Sequence, residues 1–239
     1  MRSAVWVRAQ VEAALWPGVP SPFARREARV PEMVPTGLAA VDALTGGLPR
    51  SSLTEISGPP SSGRTTLELA LLASLTAKGE ACALIDAEGA LDPASALAAG
   101  VALERLLWVR CAGLEQALRA ADLLLGAGGL GAVVLDLADI PARRARRVPL
   151  SYWFRFRRAV ENTPTVLMLI DEEACAQSAA SLVLRLELED IHWSAAGIRN
   201  SPFESRKSVP HAQLLEGLRW RAQVVRNRNA RPELLRMND

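Results

Sequence analysis

The stretch that most constrains the fold is "LTEISGPPSSGRTTLELALLASLTAK", residues 53–78. A short apolar run leads into a loop with two glycines at the spacing of a phosphate-cradling loop, G-x-x-x-x-G-K-[ST], and then into a helical pattern. Strand, glycine loop and helix in that order place the loop's backbone N–H groups and the positive end of the helix against an anion. Gly58, Ser61, Ser62, Gly63, Arg64, Thr65 and Thr66 are therefore the candidate nucleotide-binding residues, with Thr65 placed to hold a Mg²⁺ on the β- and γ-phosphates. Arg64 stands where the motif has lysine. Two readings follow: a nucleoside triphosphate handled in an altered way, or an architecture kept after its chemistry was given up.

A strand that opens such a loop needs a sheet, and the rest of the chain supplies one. "ACALID", "LLWV", "GAVVLD" and "TVLMLI" read as buried strands, separated by helical stretches at 63–78, 93–99, 113–126 and 150–161. That alternation predicts an α/β fold: a mostly parallel central sheet with helices on both faces. "SLVLRLELED" and "GLRWRAQVVRNR" alternate apolar and polar residues, which predicts antiparallel strands at the sheet's edge. Five prolines in residues 17–35 read as an arm joining an N-terminal helix that carries Trp6 and Trp16. The expected organisation is helix and arm at 1–35, core at 36–232 and tail at 233–239.

With 49% hydrophobic residues the chain can bury one large core. A net charge of +2 does not mark a nucleic-acid binder, although every basic residue except Lys78 and Lys207 is arginine. Cys82, Cys111 and Cys175 are odd in number and widely spaced, as expected of reduced thiols in the cytoplasm rather than a disulfide framework or a structural metal site. The uncharged run "LLLGAGGLGAVVL" is too short and glycine-rich to span a bilayer, so no membrane partner is expected.

Acidic residues end two of the strands. Asp136 is placed to reach a Mg²⁺ through water, and Glu88 to orient an attacking water; each is equally read as a solvated loop residue. "PARRARRV" concentrates Arg143, Arg144, Arg146 and Arg147, either a contact surface for single-stranded DNA or an acidic protein, or a solvated face. The following Trp153, Phe154 and Phe156 are read as packing residues rather than base-stacking ones.

These segments resemble the RecA recombinase family. "PTGLAAVDALTGGLP", the glycine loop and "DAEGALDP" carry the resemblance over about 34–140, and "VVRNRNARP" extends it loosely to 232. It implies a RecA-like P-loop NTPase core binding ATP and Mg²⁺, with Glu88 as the water-positioning base, Asp136 as the metal-associated acid and Asp92 near the adenine. Arg226 and Arg228 would take the places of lysines that reach a neighbouring subunit's phosphate. The chain departs from the family at Arg64, at Ser95 where an adenine-stacking tyrosine is usual, and at Asp171 where a glutamine senses the γ-phosphate. Set against the family, most of the long second DNA loop is expected to be missing, and the small C-terminal domain is not expected. These departures are similar to the ImuA subfamily, which implies an accessory role in SOS mutagenesis and translesion synthesis, with weak or absent ATPase. The implied partners are an ImuB-like Y-family polymerase homologue, RecA and single-stranded DNA. A DNA-dependent, filament-forming ATPase and an SOS-linked cell-division inhibitor are the alternatives.

Overall fold

The computed structural model describes residues 31–193 and 215–228, together with the helical positions Gln10 and Ala13. The chain divides into two compact units, Met1–Val30 and Pro31–Asp239. The second unit thus begins at Pro31, ahead of the boundary at 36 read from the prolines. Trp6, Trp16 and the tail from 233 lie outside the described residues.

The strands are β1 (Met33–Val34), β2 (Leu48–Pro49), β3 (Ser52–Ser57), β4 (Cys82–Asp86), β5 (Leu106–Arg110), β6 (Ala132–Asp136), β7 (Val166–Asp171), β8 (Leu182–Trp193) and β9 (Leu215–Asn227). The helices are α1 (Ala39–Thr45), α2 (Arg64–Ala77), α3 (Pro93–Ala98), α4 (Leu114–Ala127), α5 (Ala142–Ala145) and α6 (Leu150–Val160). β1 and β2 form a small antiparallel pair. The other seven strands make one sheet in the order β5-β4-β6-β7-β3-β8-β9. All neighbouring pairs are parallel except β8–β9.

The expected antiparallel pairing at the sheet's edge is that of β8 with β9, and β8 joins the parallel strands through Leu182–Arg185, which pair with Thr54–Ser57. The short connection from β7 suffices because β8 starts level with Thr54, below the top of β3. That connection lies against the sheet and buries Cys175, Ala176, Ala179 and Ala180.

The inner strands are apolar on both faces, as parallel strands covered on both sides must be. Alternation then sorts their side chains. Ala83, Ile85, Val133, Leu135, Leu167 and Leu169 join the core under α4 and α6. Cys82, Leu84, Val134, Met168 and Ile170 join the core under α1, α2 and α3.

Helix α6 is held by aromatics, two of which are core residues. Trp153 and Phe156 are each 1% exposed and meet edge to face at 5.9 Å, whereas Phe154 is 42% exposed. Arginines on this helix are engaged locally: Arg155 donates through Nε to Asp122 Oδ1 at 2.8 Å and lies over the Tyr152 ring, and Arg157 pairs with Glu161. Trp153→Ala should therefore cost about 3–5 kcal/mol of unfolding free energy in a urea titration, and Phe154→Ala less than ~1 kcal/mol. Equal costs would show that α6 is anchored some other way.

Candidate functional site

The C-terminal ends of four parallel strands meet at one lip of the sheet, where open α/β sheets form their ligand crevices. Register places Asp86 beside Asp136, Asp136 beside Ile170, and Ser57 beside Asp171. From Ser57 the chain turns through residues 58–63 into α2, passing Ser61 at φ 64° and Gly63 at φ 94°. Both loop glycines are required by close packing, and Gly63 by its conformation as well. A Cβ on Gly58 would stand 2.3 Å from the Leu186 carbonyl oxygen, and one on Gly63 would stand 3.0 Å from Trp220 Cγ. Cδ1 and Cδ2 of the same indole are 3.1 Å from that point, so the ring lies against the loop. β8 and β9 thus brace the loop from outside.

Arg64, the first residue of α2, is buried and turned inward. Its Nη1 donates to the carbonyl oxygen of Asp171 at 2.9 Å. One helical turn later Glu68 is also buried, with Oε1 lacking any hydrogen-bond partner. Thr65, Glu68, Asp92, Ser95 and Asp136 line a cavity of about 200 Å³ together with Leu69, Leu84, Ala90 and Leu91. Among these lining residues three are acidic and none is basic. Desolvation holds the Glu68 carboxyl well above the usual carboxylate range, helped by the charges of Asp136 and Asp86. Burial likewise pushes Asp136 up to about 6, although Oδ1 accepts a hydrogen bond from Ala138 N–H.

The other expected residues fall around this cavity. Asp86 accepts backbone N–H groups of Glu88, Gly89, Ala90 and Leu91, plus Trp108 Nε1, and so fixes the turn bearing Glu88, which is exposed. Asp92 caps α3, accepting from Ala94 N, Ser95 N and Ser95 Oγ. Ser95 therefore serves as the aspartate's own partner in the helix cap. Ser62 is buried with its hydroxyl unpartnered, while Thr65 and Thr66 are exposed. Arg226 donates to the Gln177 carbonyl and Arg228 is exposed. Arg143, Arg144, Arg146 and Arg147 are all exposed just beyond β6; Arg146 pairs with Glu173, and the other three have no ion-pair partner among the described residues.

For a triphosphate with its Mg²⁺, the loop's backbone fits and its side chains do not. The one cation of the loop donates to a backbone carbonyl; Thr65 and Asp136 suit a Mg²⁺, but no basic side chain lines the cavity to meet the phosphates.

Sequence reasoning missed three residues here: Glu68, Trp220 and Glu55. Glu68 interrupts the apolar face of "LELALL", and Glu55 interrupts an apolar strand, so each carried a signal. Trp220 carried none, since only the β8–β9 pairing brings it to the loop. Glu55 is fully buried, and its Oε1 accepts from Cys175 N and Ala176 N, both at 2.6 Å. Asp171 is 1% exposed, and desolvation beside Glu55 pushes its carboxyl up to about 9.

The first part of the chain is similar to known proteins. Residues 22–145 match the model of the RecA N-terminal domain. "Protein RecA" of Bifidobacterium breve is 42% identical over 130 residues, 54% of this chain and 33% of that protein. "Protein RecA" of Methylococcus capsulatus is 46% identical over 107 residues, 44% of this chain and 31% of its own length. The chain thus spans about a third of the curated relatives it matches. Among solved structures, the RadB recombinase superposes with a TM-score of 0.53 at 20% identity, covering 64% of this chain and 83% of that one.

The buried acids make stability fall with pH. A carboxyl whose folded pKa is raised contributes fully below its unfolded value and loses that contribution as pH rises through the folded one. For Asp136 the window runs from about 4 to about 6. Glu68→Gln should leave the urea midpoint nearly unchanged at pH 4 and raise stability by at least ~1 kcal/mol at pH 8. An equal effect at both pH values would contradict the burial of an ionisable group.

Proposed function

The chain belongs to the RecA N-terminal domain family, and on that premise we propose that it is a RecA-like accessory protein that works by contact rather than by nucleotide turnover. The observation that carries this reading is Arg64, whose guanidinium is buried and donates to the Asp171 carbonyl. A loop lysine is a flexible point charge that reaches phosphate oxygens, whereas a planar guanidinium locked onto a carbonyl cannot follow a phosphoryl group. Glu88 remains on its turn, but without a bound phosphate it has no water to orient.

The contact surface that remains is the arginine run. Arg143, Arg144 and Arg147 project from the same lip of the sheet as the loop, with Arg146 held by Glu173. Exposed guanidiniums in a row suit the phosphates of single-stranded DNA. Resemblance to the ImuA subfamily supports the wider role: damage-induced mutagenesis, with an ImuB-like Y-family polymerase homologue and RecA as protein partners.

Two measurements test this. Purified full-length protein should release no phosphate from ATP above background, with or without single-stranded DNA; DNA-stimulated release lost in Glu88→Gln would replace the accessory reading by a filament-forming ATPase. Changing the four arginines to alanine should weaken single-stranded DNA binding and reduce the log–log salt slope by about 2, near 0.7 per phosphate for three free arginines. An unchanged slope would take DNA away from this surface and leave an acidic protein as its partner.

A further inference from the structure

On the opposite face of the lip from the acidic cavity, three side chains converge in the core beneath α6. Glu55 comes from the middle of β3, Asp171 from the end of β7, and Cys175 from the connection that lies against the sheet. One ligand atom from each lies within 4.8 Å of the other two, and all three residues are buried. Glu55 Oε1 is saturated by two backbone N–H groups, whereas among the described residues Glu55 Oε2 and the Asp171 carboxylate oxygens find partners only within the cluster itself, in one another and in Cys175. Buried carboxylate oxygens left unmatched are costly, and a folded protein tolerates a convergent set of them where something positive or protic fills the gap.

We propose that Glu55 Oε2, an Asp171 carboxylate oxygen and Cys175 Sγ form a buried site for a single divalent ion of the zinc class. The donor set favours such an ion. A thiolate selects a borderline-soft metal over Mg²⁺ or Ca²⁺, and two carboxylates with one thiolate suit a tetrahedral centre with one further position. Zn–S and Zn–O bonds of about 2.3 and 2.0–2.2 Å would require the ligand atoms to close in by ~1 Å from their present spacing. Charge also balances: three anionic ligands meet one dication and the Arg64 guanidinium, which is held at the Asp171 carbonyl. Loading must displace the protons that burial keeps on the Asp171 carboxyl and the Cys175 thiol. The ion would pin residues 171–176 to β3, fixing the carbonyl that Arg64 uses. A proton shared between Asp171 and Glu55 is the competing occupant.

The test uses the full chain, produced in zinc-supplemented medium and purified without chelator. Elemental analysis should find about one zinc per chain, falling at least tenfold in Cys175→Ser and in Asp171→Asn. Cobalt exchanged into the wild-type protein should show a thiolate-to-metal charge-transfer band in the near ultraviolet, a readout that needs no variant to fold. Wild-type protein that holds no zinc after dialysis against it and gives no such band would overturn the site and leave the shared proton. Zinc retained undiminished in both variants would place the ion elsewhere and overturn the site equally.

Discussion

One buried hydrogen bond, from Arg64 Nη1 to the carbonyl oxygen of Asp171, joins the first residue of α2 to the last residue of β7. It crosses the lip of the sheet at the point where the glycine loop leaves β3, so the loop is closed from within by its own cation. From outside, the Leu186 carbonyl and the Trp220 ring press on Gly58 and Gly63. The geometry of a phosphate cradle is thereby kept as a piece of structure. Its positive charge is turned into the protein, where it acts on Asp136.

The acids themselves divide by strand parity. Residues 53 and 55 of β3, and 167, 169 and 171 of β7, face α4 and α6, which puts Glu55 and Asp171 in that core. On the other face, Glu68 of α2 points down at Asp136. Burial favours the protonated form of Glu68, Asp136 and Asp171, and Asp136 is close enough to Arg64 to feel its charge. Carboxyls buried in this way lose their contribution to stability as pH rises through their folded values, about 6 for Asp136 and about 9 for Asp171.

Most of the fold was legible because its signals are local. Strand, glycine loop and helix follow one another in sequence, and the alternation of apolar runs with helical stretches gave the parallel sheet and helix limits within a residue or two. What escaped depends on contacts between distant segments. β8 pairs in parallel with β3 on one side and antiparallel with β9 on the other, and no pattern within "SLVLRLELED" encodes which neighbour lies on which side. Trp220 lies far along the chain from Gly63, and only the β8–β9 register brings the indole to the loop. The loop residues and Asp136 could be named from the motif, but the direction of the Arg64 side chain could not. That direction is set by a carbonyl at the end of another strand. Ser95 shows the same limit from the other side: its absence of an aromatic ring was visible, while its bond to Asp92 became visible only in three dimensions.

A reading built on an inward-facing cation is tested most directly by calorimetric titration of the full-length protein with ATP and Mg²⁺. With Arg64 committed to Asp171, injections should give only heats of dilution up to about 1 mM nucleotide, a free energy of binding weaker than ~4 kcal/mol. A saturable one-to-one isotherm with a Kd near ~1 μM, abolished by Thr65→Ala, would show that the guanidinium leaves the carbonyl for a phosphate, and would contradict the account.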